Sequence, residues 1–215
     1  MPTQTFELHA TTPETHKVRK IVEMLRDGAV MLYPTDSGFA LGCCLSKKNA
    51  IERVRQIRRL PEHKHLSFLC DSLTNISEFA KVSNHAYKII RRLIPGPFTF
   101  ILPATKAVPN YALDPKRKTT GIRVPESPIA IAILKELDNP LISITAKRDD
   151  QEFETVEDLL NALSPLVDIV VTPSEYAFVG ESTVIDMTQE EFHLVRRGAG
   201  MAEVREHIPE IIEGE

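Results

Sequence analysis

Short apolar runs rich in β-branched residues alternate along the chain with stretches whose apolar positions recur every three or four residues. The runs at 29–33, 39–45, 66–70, 98–102, 121–124, 141–145, 168–171, 183–186 and 192–195 predict strands. Stretches 13–26, 49–60, 84–93, 128–137 and 155–163 predict helices. In the first helix Val18, Ile21, Val22 and Leu25 share one face, and Gly28 stands where a left-handed residue closes a helix. Ser127-Pro128 reads as an N-cap followed by a first-turn proline, and Thr155 with Asp158 as a loose capping box. Strands interleaved with helices predict an α/β fold. Some consecutive strands lie too close for crossovers, so the sheet is expected to be mixed, twisted and flanked by helices. With no repeat and no long linker, the chain reads as one domain over 1–207, followed by a loose acidic tail at 208–215.

At 215 residues with 42% apolar content, the chain can bury a sizeable core, which excludes a disordered or fibrous protein. No basic stretch followed by an apolar run opens it, and no run of about eighteen apolar residues occurs, so neither export nor membrane spanning is expected. Cys43, Cys44 and Cys70 lack CxxC spacing and read as packed thiols in a reducing cytoplasm. The net charge of −4 conceals an uneven distribution: residues 47–123 carry 16 Lys and Arg against 5 Asp and Glu. An anion belongs there, whether nucleotide phosphates, RNA or both.

The chain contains no GxxxxGK[ST] loop, no GxGxxG turn after the first predicted strand, no HExxH and no GxSxG. A P-loop kinase and a Rossmann dehydrogenase are thereby disfavoured. His63-Lys64-His65 has no further His or Cys nearby and reads as a surface turn, so no residue is assigned as a metal ligand. The informative segment is 32–42, LYPTDSGFALG, which leaves one strand and enters another. Thr35, Asp36 and Ser37 can hold an amino acid's ammonium and hydroxyl, or can simply form an Asx-type turn. Two further segments are PGPFTFIL at 95–102 and GIRVP at 121–125. In the latter, Arg123 punctuates an apolar strand and needs an anionic partner, either a protein carboxylate or a ligand.

PTDSGFALG at 34–42 resembles the PT[ED][ST]xxxLG opening of the YrdC/YciO family of threonylcarbamoyl-adenylate synthases. The further matches follow in family order: PGPFTFIL, GIRVP, PLISITA at 140–146, STVID at 182–186 and VRRGAG at 195–200. The turn and the IRRLP segment at 57–61 are most similar to the YciO branch. The resemblance implies a YrdC/RibB-like fold with a concave basic cleft. It also implies a nucleotidyltransferase reaction joining L-threonine, bicarbonate and ATP, with Mg²⁺, into threonylcarbamoyl-adenylate and pyrophosphate for modification of tRNA adenosine 37. Such a reaction needs no protein nucleophile, only positioning and neutralisation of triphosphate charge.

Carried over position by position, the resemblance assigns Thr35, Arg123, Ser143 and Ser182 to threonine. It assigns Thr145 and Arg196 to the nucleotide, and Arg58 and Lys64 to a basic loop over the phosphates with a catalytic role. A cleft whose walls include Thr35, Arg58, Arg123, Ser143, Ser182 and Arg196 is expected, with Arg123 contributing more to binding than to folding. The chain departs from the family at Leu60, where a second phosphate-facing cation is usual, at Lys147, where an amide is usual, and at Cys70, where a His is usual. Nucleotide binding with reduced turnover is therefore expected. The alternative is a protein of the same fold that binds double-stranded RNA or tRNA through Arg91, Arg92, 116–118 and the 53–59 helix without synthase activity.

Overall fold

The computed structural model describes residues 2–60, 66–113, 116–147 and 153–213. Eleven strands form one sheet: β1 (Gln4–Leu8), β2 (Met31–Thr35), β3 (Gly38–Cys44), β4 (Ser67–Leu69), β5 (Phe98–Pro103), β6 (Thr119–Arg123), β7 (Leu141–Thr145), β8 (Ile169–Pro173), β9 (Thr183–Asp186), β10 (His193–Arg196) and β11 (Ile212–Glu213). Seven α-helices accompany them: α1 (Thr15–Arg26), α2 (Lys48–Ile57), α3 (Leu73–Phe79), α4 (Asn84–Leu93), α5 (Pro128–Leu137), α6 (Val156–Leu163) and α7 (Met201–His207). The strand order is β1-β8-β2-β3-β7-β4-β6-β5-β9-β10-β11. The sheet is mixed, as expected: β1, β8 and β2 run parallel, whereas β3 and β7 add antiparallel pairs.

Every predicted strand and helix forms, most of them with shifted ends. The caps behave as their chemistry dictates. Ser127 Oγ accepts from Ala130 N, and Thr155 Oγ1 accepts from Asp158 N. Gly28, at φ +95°, closes α1. The sequence pattern missed β1, whose only buried apolar residues are Phe6 and Leu8, and the short α3 and α7. It also missed β11, and the expected loose tail is corrected by it. Ile208 is buried, Ile212 N donates to Phe192 O at 2.9 Å, and Glu213 pairs with Arg197 and Arg205, so 208–213 is docked against β10.

The two-residue period of the strands divides the core into two layers. On one face Val30, Leu32, Leu41, Cys43, Phe68, Phe100, Ile122 and Ile185 pack with residues of α2 and α4. On the other, Met31, Tyr33, Ala40, Cys44 and Ile169 pack with the apolar faces of α1 and α5. That second layer takes nothing from β5, β6, β9 or β10. Among the described residues, one half of one sheet face therefore has no helical cover, and the largest part of the cavity described below lies there.

At its far side the chain after β10 turns back over the segment before β9, where Ser182 and Ala199 pair. Gly198 crosses so closely that a Cβ would lie 2.6 Å from the Ser182 carbonyl carbon and nearer still to Glu181 O. Backbone cannot yield as a side chain can. Gly198→Ala is expected to cost roughly 1–3 kcal/mol and to lower Tm by several degrees. A thermal melt indistinguishable from wild type would show that the crossing is looser than this.

Candidate functional site

The uncovered half of the sheet forms a cavity of about 800 Å³. Residues alternating with the apolar core positions supply its floor: Ser67 and Leu69 of β4, Thr119, Gly121 and Arg123 of β6, Thr99 and Ile101 of β5, and Ser143 and Thr145 of β7. Gly121 is required by close approach, since a Cβ there would lie 2.5 Å from Ser67 Oγ. Thr35 and Ser37 line one side, and Ser182, Val184 and Arg196 line the other. Lys116 and Arg117 also contribute. Among the described residues nine Ser and Thr and four cations line the cavity, and no Asp or Glu does.

The turn between β2 and β3 is held by its own side chains. Thr35 Oγ1 donates to Gly38 O at 2.8 Å and accepts from Ser37 N at 3.2 Å. The turn reading of Thr35 and Ser37 is thus correct, and the same residues also face the cavity. Arg123 reaches into this turn. Its guanidinium, 5% exposed, donates to Asp36 Oδ2, to Ser37 Oγ and, 3.1 Å away, to Gly96 O. Burial lowers the pKa of Arg123, and the Asp36 charge and hydrogen bond work against that loss. The sequence left open whether a protein carboxylate or a ligand answers Arg123. Asp36 answers it in part: among the described residues each terminal nitrogen makes one hydrogen bond, which leaves one N–H on each. Asp36 Oδ1 and Thr120 Oγ1 are buried without a partner, and Thr120 lies in the cavity wall.

Ser143 Oγ accepts from Tyr33 Oη at 2.9 Å, and burial pushes the Tyr33 phenol far up, so it remains a proton donor. Ser182 Oγ lies 3.0 Å from Thr99 Oγ1. Arg196 clasps Ser182, donating to its carbonyl from Nε at 3.1 Å and from Nη2 at 2.7 Å, and to its Oγ at 3.0 Å. Thr35, Arg123, Ser143, Thr145, Ser182 and Arg196, scattered along the sequence, therefore meet in one cavity. Arg58 is corrected: it is 3% exposed, donates from Nη1 to Lys147 O at 3.1 Å, and is not among the residues lining the cavity. It follows the last turn of α2, and this bond ties that helix to the segment after β7. Lys64 and the His63–His65 turn lie outside the described residues. Leu60 packs partly buried against the core, which explains an apolar residue there.

Glu181 was missed by sequence reasoning. It links Lys147 Nζ at 2.6 Å with Arg196 Nη1 at 3.3 Å. Desolvation opposes its ionisation, but the Lys147 hydrogen bond and nearby cations prevail and hold its pKa below the usual carboxylate value. Its only signal was its position before the STVID segment. The thiols of Cys43 and Cys70 are buried and pushed up by desolvation, consistent with packing. No helix among the described residues is long and apolar enough to cross a membrane.

The Sua5/YciO/YrdC family model, described as "Telomere recombination", matches residues 23–198. The uncharacterized protein YciO of Escherichia coli K12 is 38% identical over 201 residues, spanning 92% of this chain and 96% of its own. The E. coli YciO crystal structure superposes with a TM-score of 0.86 at 36% identity, covering 94% of this chain and 98% of that one. A threonylcarbamoyl-AMP synthase of Vibrio vulnificus YJ016 is 27% identical over 158 residues, 72% of this chain and 84% of its own. The structure of P. abyssi Sua5 complexed with L-threonine shares the fold, with a TM-score of 0.90 at 24% identity over 99% of this chain and 63% of that one.

The burial of Arg123 against Asp36 gives Arg123 a structural role beside the binding role expected of it. Removing one partner strands the other charge. Arg123→Ala is expected to cost roughly 3–5 kcal/mol, and the double change Asp36→Asn with Arg123→Leu clearly less than the two single changes summed. Chemical denaturation checks this. An Arg123→Ala protein as stable as wild type would remove the pair from its structural role.

Proposed function

The chain belongs to the Sua5/YciO/YrdC family, and on that premise we propose that its cavity binds L-threonine and ATP and joins them with bicarbonate into threonylcarbamoyl-adenylate and pyrophosphate. The observation that carries this reading is that the described residues lining the cavity bring hydroxyls and cations and no carboxylate. It suits a ligand with many anionic oxygens, and its size falls within the roughly 300–1,000 Å³ usual for small-molecule sites. Homology to threonylcarbamoyl-AMP synthases and the threonine-bound Sua5 support the choice of substrates.

In this reading the unused N–H groups of Arg123 take the threonine carboxylate as a forked pair, with the turn hydroxyls of Thr35 and Ser37 and the Ser143 hydroxyl beside it. The threonine amine, once deprotonated, attacks CO₂ derived from bicarbonate to give a carbamate. A carbamate oxygen then attacks the α-phosphorus, and the bond to pyrophosphate breaks with its electron pair leaving on pyrophosphate. Arg196, fixed by Ser182, places positive charge where the phosphates lie, and Lys116 and Arg117 add to the field. Among the described residues no three His, Cys, Asp or Glu side chains gather as they would to hold a metal ion. The RNA alternative draws on the same basic middle, but Lys116 and Arg117 line the cavity, which favours a small anion.

Leu60 and the buried Arg58 leave the phosphates with fewer cations than the family pattern provides. A charge-assisted contact is worth roughly 1.5–3 kcal/mol, or about 10- to 150-fold in rate. Calorimetry should show ATP binding. Pyrophosphate release from threonine, bicarbonate and ATP should be slower by about that factor than in a family member with the usual Lys-x-Arg pair. Equal rates side by side would refute the account of Leu60, and no pyrophosphate at any protein concentration would refute the reaction.

A further inference from the structure

Tyr33 stands where the core meets the cavity. Its ring is fully buried in the layer covered by α1 and α5, yet its hydroxyl reaches across β3 to Ser143 of β7, which lines the cavity. Gly42 of β3 lies on that path, paired with Ser143 on one side and with Met31 of β2 on the other. A Cβ at Gly42 would lie 2.8 Å from Tyr33 Cε1, so the glycine is the notch through which the ring crosses β3. Among the described residues Tyr33 Oη and Ser143 Oγ make no hydrogen bond except the one between them, at 2.9 Å. A buried phenol must place its hydrogen on an acceptor, and Ser143 Oγ is the acceptor it has. That fixes the direction of the bond. Ser143 accepts from the core side, and its own hydrogen is left for the cavity. Thr35 is the contrast: its hydroxyl donates to Gly38 O and accepts from Ser37 N, so its hydrogen is spent within the turn.

We propose that Tyr33 is a positioning residue that sets Ser143 as a hydrogen-bond donor to an anionic oxygen of the ligand. A serine hydroxyl alone can accept from an ammonium or donate to a carboxylate, and it turns among its staggered positions. Tyr33 removes that choice, because turning the serine hydrogen toward the phenol would set two hydrogens against each other. The accepted bond also polarises the hydroxyl and strengthens the bond that it donates. A donor fixed in advance needs no ordering when the ligand arrives. Ser143 thereby discriminates between the two ends of an amino acid, and the carboxylate, not the ammonium, lies against it. Arg123, which lines the same cavity two strands away, favours the same end. The inference rests on the threonine reading of the cavity only for the identity of the ligand; the direction of the donor concerns any oxyanion.

The test titrates wild type, Tyr33→Phe, Ser143→Ala and the double variant with L-threonine and with inorganic phosphate by calorimetry, after thermal melts have shown each protein folded. Phenylalanine keeps the ring over Gly42 and removes only the hydroxyl, so a role confined to packing would leave the titrations unchanged. Tyr33→Phe is expected to weaken threonine about three- to fivefold, through the regained rotation and lost polarisation of the serine hydroxyl. Ser143→Ala should weaken it about tenfold. Adding Tyr33→Phe to Ser143→Ala should change the affinity less than about twofold, because Tyr33 acts through Ser143. Threonine bound as tightly or more tightly by Tyr33→Phe would overturn the donor and leave the threonine reading intact, and so would an equal loss from Tyr33→Phe in the Ser143→Ala background. Threonine bound by no protein, with phosphate weakened by Tyr33→Phe, would uphold the donor and overturn the threonine reading. Threonine bound by no protein, with phosphate unaltered by Tyr33→Phe or also unbound, would overturn both. Should Ser143→Ala fail to fold, the sign of the Tyr33→Phe effect decides alone.

Discussion

The buried pairing of Arg123 with Asp36 is the constraint on which the site depends. Arg123 ends β6, Asp36 forms the turn between β2 and β3, and Gly96, whose carbonyl accepts from the same guanidinium, opens the approach to β5. One side chain thus holds three segments that are distant in sequence. The loop before β9 is drawn into the same assembly, because Val179 N donates to Asp36 O at 2.8 Å. Desolvating a guanidinium is costly unless its donors are answered, so the three segments are fixed relative to one another. A cavity wall made of loop ends acquires the rigidity of a core.

The cavity itself follows from how two helices are placed. α1 and α5 cover the second sheet face only over the β8-β2-β3 side, and the remaining strands present their alternate residues to open space. Many of those alternate residues are small or polar, among them Ser67, Thr99, Gly121, Ser143 and Thr145. Their neighbours Phe68, Phe100, Ile122 and Ile142 are fully buried on the opposite face. The same strands therefore serve as core and as binding surface. A reaction that needs positioning and charge, with no protein nucleophile, can be built on such a surface.

Much of this was legible in the sequence. Period-two and period-3.6 apolar patterns located nine strands and five helices because most of those elements bury a face; β10, which has no buried residue, is the exception. β1 and α7 escaped because they bury only one or two apolar side chains each. Six ordered motifs marked the residues of the site, since turn residues such as Gly38 and close approaches such as Gly121 leave little choice of side chain. What the motifs could not convey was partnership. Arg123 and Asp36 are 87 residues apart, and nothing local distinguishes a guanidinium awaiting a ligand from one paired with a carboxylate. Arg58 looked like a phosphate contact for the same reason, and its burial beneath Lys147 O is a tertiary fact. Glu181 carried no motif meaning until folding brought it between Lys147 and Arg196.

A crystal structure with L-threonine and a non-hydrolysable ATP analogue tests the central claim most directly. The account predicts both molecules in the single cavity, with the threonine carboxylate on Arg123 and the phosphates beside Arg196. Threonine or nucleotide bound outside that cavity, or an empty cavity at saturating concentrations of both, would contradict it.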